Sequence, residues 1–121
     1  MVDQLYLNER AIKLGMGKRR ILYFRHFNGN LDVRFAPHMI IARSGHLEVH
    51  GRRYQGNRKY SAIFQLRHMA NVRISNETFL PPKNFDGLSA DKRNGLICRV
   101  KTVGYGYDEF DDRPSIFDFF E

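Results

Sequence analysis

His38-Met39-Ile40-Ile41-Ala42, Arg43-Ser44-Gly45 and Leu47-Glu48-Val49-His50 lie close together along the 121-residue chain. An apolar run, a turn, and an arm in which apolar and polar residues alternate predict two antiparallel strands, the second with one buried face. The same signal continues downstream. Gln55-Gly56-Asn57 reads as a further turn into a strand at Tyr60–Phe64. Leu66 to Ala70 reads as a brief helical turn, and Asn71–Ser75 as a short strand with Val72 and Ile74 facing the core.

Upstream, Pro37 separates the apolar run from Leu31-Asp32-Val33-Arg34-Phe35, an alternating arm. Asn28-Gly29-Asn30 makes a turn with residues able to take positive φ, and residues 20–27 carry β-branched and aromatic side chains at strand density. Asp3 is placed to cap a helix over residues 4–14 that Gly15 and Gly17 end, with Leu5, Ala11 and Ile12 on its apolar side. One helix followed by five or six short strands predicts a mainly β fold, a small antiparallel barrel with a short N-terminal helix. Residues 81–94 turn to Pro, Gly, Asp and Lys, an irregular connection, before a last strand at Leu96–Val103. Residues 1–103 form the expected barrel domain. Residues 104–121 form a second unit, a Gly104-Tyr105-Gly106-Tyr107 hinge and an acidic-aromatic tail.

Twenty Lys and Arg against thirteen Asp and Glu give a net charge of +7. The imbalance is uneven. Residues 108–121 hold six acids and one base, a net of −5, which leaves +12 on residues 1–107. A body so basic favours a polyanionic partner, because neutralising phosphates releases condensed counterions. The basic residues lie in strand-like stretches, without a basic amphipathic helix or a run of about 18 apolar residues, which argues against a membrane partner. The first residues lack the basic start and apolar core of a secretory signal, so a cytoplasmic location is expected. Cys98 is the sole cysteine, which excludes an intrachain disulfide and a four-cysteine metal site.

Lys18, Arg19, Arg20, Arg25, Arg34, Arg52, Arg53, Arg58 and Lys59 are interleaved with Tyr23, Tyr54 and Tyr60. Cations that track phosphates beside rings that stack on unpaired bases are the chemistry of a single-strand platform. Tyr23, inside an apolar run, has core packing as an equally good reading. His46 and His50 invite a metal, yet four residues along a strand span about 13 Å, too far to share an ion. His26, His50 and His68 offer acid and base groups beside cations, the ingredients of a small ribonuclease. No carboxylate pair or nucleophile motif supports catalysis. Gly15-Met16-Gly17-Lys18 lacks the spacing of a phosphate loop.

Arg34-Phe35-Ala36-Pro37-His38, Leu47-Glu48-Val49 with Gly51, Phe64-Gln65-Leu66-Arg67-His68-Met69 and Phe79-Leu80-Pro81-Pro82-Lys83-Asn84-Phe85-Asp86 occur in the order of the motifs of another family. Over residues 5–86 the chain resembles the WYL domain, an SH3/Sm-like barrel that senses ligands, often nucleic acid, in bacterial regulators. The resemblance implies an SH3/Sm-like barrel and ligand contacts from Arg34, His38 and His68, with Tyr23 secondary. It departs at Glu48, in place of a ligand-facing Tyr, at Gln65, in place of Arg, and at Arg67-His68, in place of Asp-Arg. With about 15 residues before the barrel, a stand-alone or accessory protein is implied. The family's associations are with phage defence, CRISPR and transcription regulation.

The expected function is therefore non-enzymatic binding of single-stranded DNA, RNA or an oligonucleotide through Arg34, His38, Arg52, Arg53, Arg58, Arg67 and His68. No catalytic residue, metal or cofactor is expected. The alternative is a protein-interaction module or homodimer using the basic face and the tail, in which Phe110, Ile116, Phe117, Phe119 and Phe120 accompany the acids. A small ribonuclease is the third reading.

Overall fold

The computed structural model describes residues 3–27, 29, 32–81, 95–101 and 104–109. One helix, α1 (Gln4–Gly17), precedes an antiparallel sheet of β1 (Arg20–His26), β2 (Val33–Arg43), β3 (His46–Gln55), β4 (Arg58–Gln65), β5 (Met69–Thr78), β6 (Leu96–Val100) and β7 (Tyr107–Glu109). A single 3-10 turn, Leu66–His68, joins β4 to β5. The strand order is β4-β3-β2-β1-β5, and β6 adds to the far half of β2 and carries β7. The expected mainly β fold with one N-terminal helix is present. The expected barrel does not close among the described residues, because β4 and β5 are not paired. The 3-10 turn spans the gap, and its His68 carbonyl accepts from the Phe27 N–H at 2.8 Å.

Asp3 caps α1 by accepting from the Leu5 N–H at 3.1 Å. The helix runs to Gly17, beyond the expected end at 14, because Gly15 lies within it rather than stopping it. A Cβ on Gly15 would sit 2.6 Å from Leu22 Cδ2, so glycine here lets the helix approach β1. Ile12 and Met16 are fully buried against the sheet, where Phe24, Phe35 and Phe64 meet edge-to-face at 5.0–5.9 Å. Asn8, also buried, donates from Nδ2 to the Leu66 and Met69 carbonyls at 2.8 and 2.9 Å. It fastens the helix to the 3-10 turn.

The β2–β3 hairpin turns on Ser44 and Gly45, both at positive φ, so the two-residue loop matches the strands' twist. Gly56, also at positive φ, opens the β3–β4 turn. Gly51 has a different need: a Cβ there would fall 2.0 Å from the Ala36 carbonyl and 2.7 Å from the Phe35 ring. The sheet bends tightly enough at this point that only glycine fits.

Other expectations change as well. Pro37 does not separate two strands but lies inside β2, where the ladder steps from Pro37↔Gly51 to Met39↔His50. That bulge leaves His38 unpaired in the ladder, and tolerates a residue without an N–H. Val72 packs against the core as expected, whereas Ile74 stays 39% exposed on the edge strand β5. The strand expected at Leu96–Val103 is β6, which ends at Val100 and is followed by β7. Residues 104–106 bend the chain from β6 into β7. Gly106 donates to the Gly17 carbonyl at 2.8 Å, Arg19 donates to the Lys101 and Gly104 carbonyls, and Tyr107 starts β7. Cys98 is buried, as expected. The irregular connection at 82–94, the closing motif beyond Pro81 and the tail beyond Glu109 lie outside the described residues. No helix among those residues is long and apolar enough to cross a membrane.

Candidate nucleic-acid interface

Strand pairing puts five side chains in one row across five strands: Arg73 opposite Tyr23, Tyr23 opposite Arg34, Arg34 opposite Tyr54, and Tyr54 opposite Lys59. Directly paired residues share a face, with Cβ atoms about 5 Å apart. Cation and aromatic therefore alternate along the row. The Arg34 guanidinium carbon lies 5.1 Å from the Tyr54 ring centroid and Lys59 Nζ lies 5.6 Å from it.

Arg34 also donates two hydrogen bonds to Glu77, from Nε to Oε2 and from Nη2 to Oε1, each 2.9 Å long. The Tyr23 hydroxyl donates to the same Oε2 at 2.8 Å. These hydrogen bonds, Arg34's before Tyr23's, hold the Glu77 carboxyl below its ordinary pKa. The hydrogen bond to Glu77 in turn raises the Tyr23 phenol, and it keeps Arg34 charged. Tyr23 thus has its hydroxyl anchored on the face while its half-buried ring packs against the core cluster.

A cleft of about 700 Å³ opens over this end of the row, lined by Arg34, His38, Arg52, Tyr54, Arg58 and Lys59, with Phe79 to Pro81 forming its far wall. Four of these residues are cationic. No carboxylate lines it among the described residues, and neither Arg52 nor Arg58 has an ion pair there. His38, re-aimed by the β2 bulge, is 8% exposed, with its ring 5.7 Å from that of Phe79. Burial, reinforced by the charge of Arg52, pushes its pKa down to about 4. At neutral pH it is an uncharged imidazole in a cationic wall.

Four of the seven expected contacts, Arg34, His38, Arg52 and Arg58, come together in this cleft. Arg53 and His68 do not line it: Arg53 follows Arg52 in β3 and so points to the other face. Arg67 sits exposed on the 3-10 turn, donating to Gln65 Oε1 at 2.9 Å. Lys59, named in the basic-aromatic set but not among the seven contacts, lines the cleft, and its register opposite Tyr54 places it there. Glu48 is 7% exposed, with Oε1 3.5 Å from His46 Nε2, Oε2 3.5 Å from His50 Nε2, and Arg43 Nε 3.9 Å away. It is a buried countercharge rather than a surface residue facing a ligand. Among the described residues no group of His, Cys, Asp and Glu is arranged to hold a metal ion. Of the three histidines weighed for acid–base chemistry, His26 and His68 have ring centroids 6.2 Å apart, while His50 stands beside Glu48. Neither protein-family models, nor curated proteins, nor solved structures yield a match to the chain.

Proposed function

We propose that the protein is a non-enzymatic binder of single-stranded nucleic acid or an oligonucleotide, acting as an accessory or regulatory module. The observation that carries this reading is the alternating row Arg73, Tyr23, Arg34, Tyr54 and Lys59, with Arg52 and Arg58 over the cleft beside it. Cations at this spacing track a phosphate backbone, and tyrosine faces between them accept unpaired bases irrespective of sequence. Glu77 and the Tyr54 ring hold Arg34 in place before any ligand arrives, which lowers the ordering cost of binding. The neutral His38 supplies a polar contact without adding charge. The resemblance to the WYL domain supports a ligand-sensing role and points to a regulatory setting.

Fluorescence anisotropy of labelled single-stranded DNA, single-stranded RNA and duplex, titrated from low to physiological salt, tests the proposal. Single strands bind more tightly than duplex, affinity falls steeply with salt, and Arg52→Glu abolishes binding at physiological salt. Absence of binding to every nucleic acid at physiological salt, or an Arg52→Glu variant that binds as the parent does, overturns it.

A further inference from the structure

On the other side of β3 from the cleft, four rings form a chain from the core to the surface. Phe64 is buried, His26 meets it edge-on at 5.0 Å, Phe27 meets His26 at 4.4 Å, and His68 lies against Phe27 at 4.2 Å with 31° between the planes. The most exposed of the four rings is unusual. Phe27 is 60% exposed, and its φ of 56° places a bulky residue in the left-handed region. Its N–H is tied to the His68 carbonyl, which keeps the ring beside its neighbour. Glycine or asparagine would take that backbone geometry at lower cost, and so much exposed ring surface is not repaid by packing. Backbone strain that holds an aromatic face in solvent is a feature of ligand seats.

A second observation points to the same ligand. Arg53 shares this face, close enough to His26 for its charge to contribute, after burial and His68, to lowering the His26 pKa. Its Nε is buried with no hydrogen-bond partner among the described residues. That nitrogen is out of a ligand's reach, but Arg53 as a whole is only half-buried, so an incoming acceptor oxygen meets the outer part of its guanidinium. Arg52 and Arg53 are consecutive and face opposite ways, and β4 is an edge strand whose first residues, Arg58 to Ser61, are exposed. A flexible polyanion that leaves the cleft around this edge meets the face that carries Arg53.

We infer that Phe27 and His68 form a stacking seat for an unpaired nucleobase of the strand whose phosphates the cleft holds, with Arg53 as donor to the same nucleotide. The inference rests on the proposed function and adds what that reading does not contain: a second, base-directed subsite that selects single strands. A paired base keeps its faces inside the duplex and cannot occupy the seat.

The test compares a labelled oligothymidylate with an abasic phosphodiester strand of equal length, using the full chain and its Phe27→Ala, Phe27→Trp and Phe27→Gly variants. The parent protein binds oligothymidylate roughly five- to a hundredfold more tightly than the abasic strand. Phe27→Ala loses most of that preference while keeping its affinity for the abasic strand, and Phe27→Trp retains the preference. Phe27→Gly loses it too, with a melting temperature equal to or above the parent's, because the strain is relieved. An unchanged preference in Phe27→Ala, an equal loss for both strands, or a parent without preference overturns the seat and leaves the cleft standing. Failure of the parent to bind either strand overturns both.

Discussion

Arg34 and Glu77 are joined by two parallel hydrogen bonds of 2.9 Å, so the central cation of the cross-strand row arrives already neutralised on one side. Its other side faces Tyr54 and the cleft. The pair is a positioning device. Being solvent-exposed, it adds little to stability, and its effect falls on the ligand.

Replacing Glu77 with Gln is therefore expected to leave the melting temperature nearly unchanged and to strengthen oligonucleotide binding severalfold at low salt, since one negative charge leaves the row. The gain fades as salt rises. Anisotropy titrations at two salt concentrations check this, and weaker binding at both would show that positioning of Arg34 outweighs the added charge.

Lys59 contacts the polyanion as a point charge. Lys59→Ala should weaken binding by a similar factor for all sequences and lower the slope of log affinity against log salt by about 1. A sequence-dependent loss, or an unchanged slope, would remove Lys59 from the backbone contacts.

His38 links stability to pH. Its folded pKa of about 4 lies below the ordinary 6.5, so the unfolded chain takes up the proton first on acidification. Stability from this group is complete above pH 6.5 and declines as pH falls from there towards 4, by up to about 3 kcal/mol over the whole window. His26 is lowered as well and contributes with the same sign. Denaturant titrations between pH 4 and 7 of the parent and of His38→Gln should show a shallower decline in the variant, and parallel curves would rule His38 out.

Gly51→Ala should lose roughly 3 kcal/mol or more, because the new methyl meets a backbone carbonyl that cannot move without breaking the β2–β3 ladder. Thermal unfolding reads the loss, and a variant that melts with the parent would show that the bend at β3 is not tight.

Asn8→Leu leaves the Leu66 and Met69 carbonyls without the amide that satisfies them, at a cost of about 2–3 kcal/mol. Hydrogen exchange should accelerate across the 3-10 turn and the start of β5. If protection there is unchanged, the helix is held by its apolar contacts alone.

Hairpins were legible because their signals are local. Ser44-Gly45 and Gly56-Asn57 determine loop geometry within a few residues, and the alternation in Leu47–His50 declares a strand, although Glu48 and His50 on its polar face are buried as well. The concentration of charge was equally visible, so Arg34, Arg52 and Arg58 could be chosen in advance, whereas His38 was named from the resemblance. Composition could not divide the remaining candidates between faces. Arg53 differs from Arg52 by one position, and that single step carries it through the sheet.

By itself, the sequence determined an antiparallel, mainly β chain with one capped N-terminal helix and a strongly basic body, because propensity, turn chemistry and net charge are properties of neighbouring residues. Tertiary structure alone decided that Arg73, Tyr23, Arg34, Tyr54 and Lys59 share one row, that a bulge turns His38 into the cleft wall, and that Asn8 clamps a turn about sixty residues away. Cross-strand register and close backbone approach depend on how distant segments pack together, and no local run of residues encodes those distances.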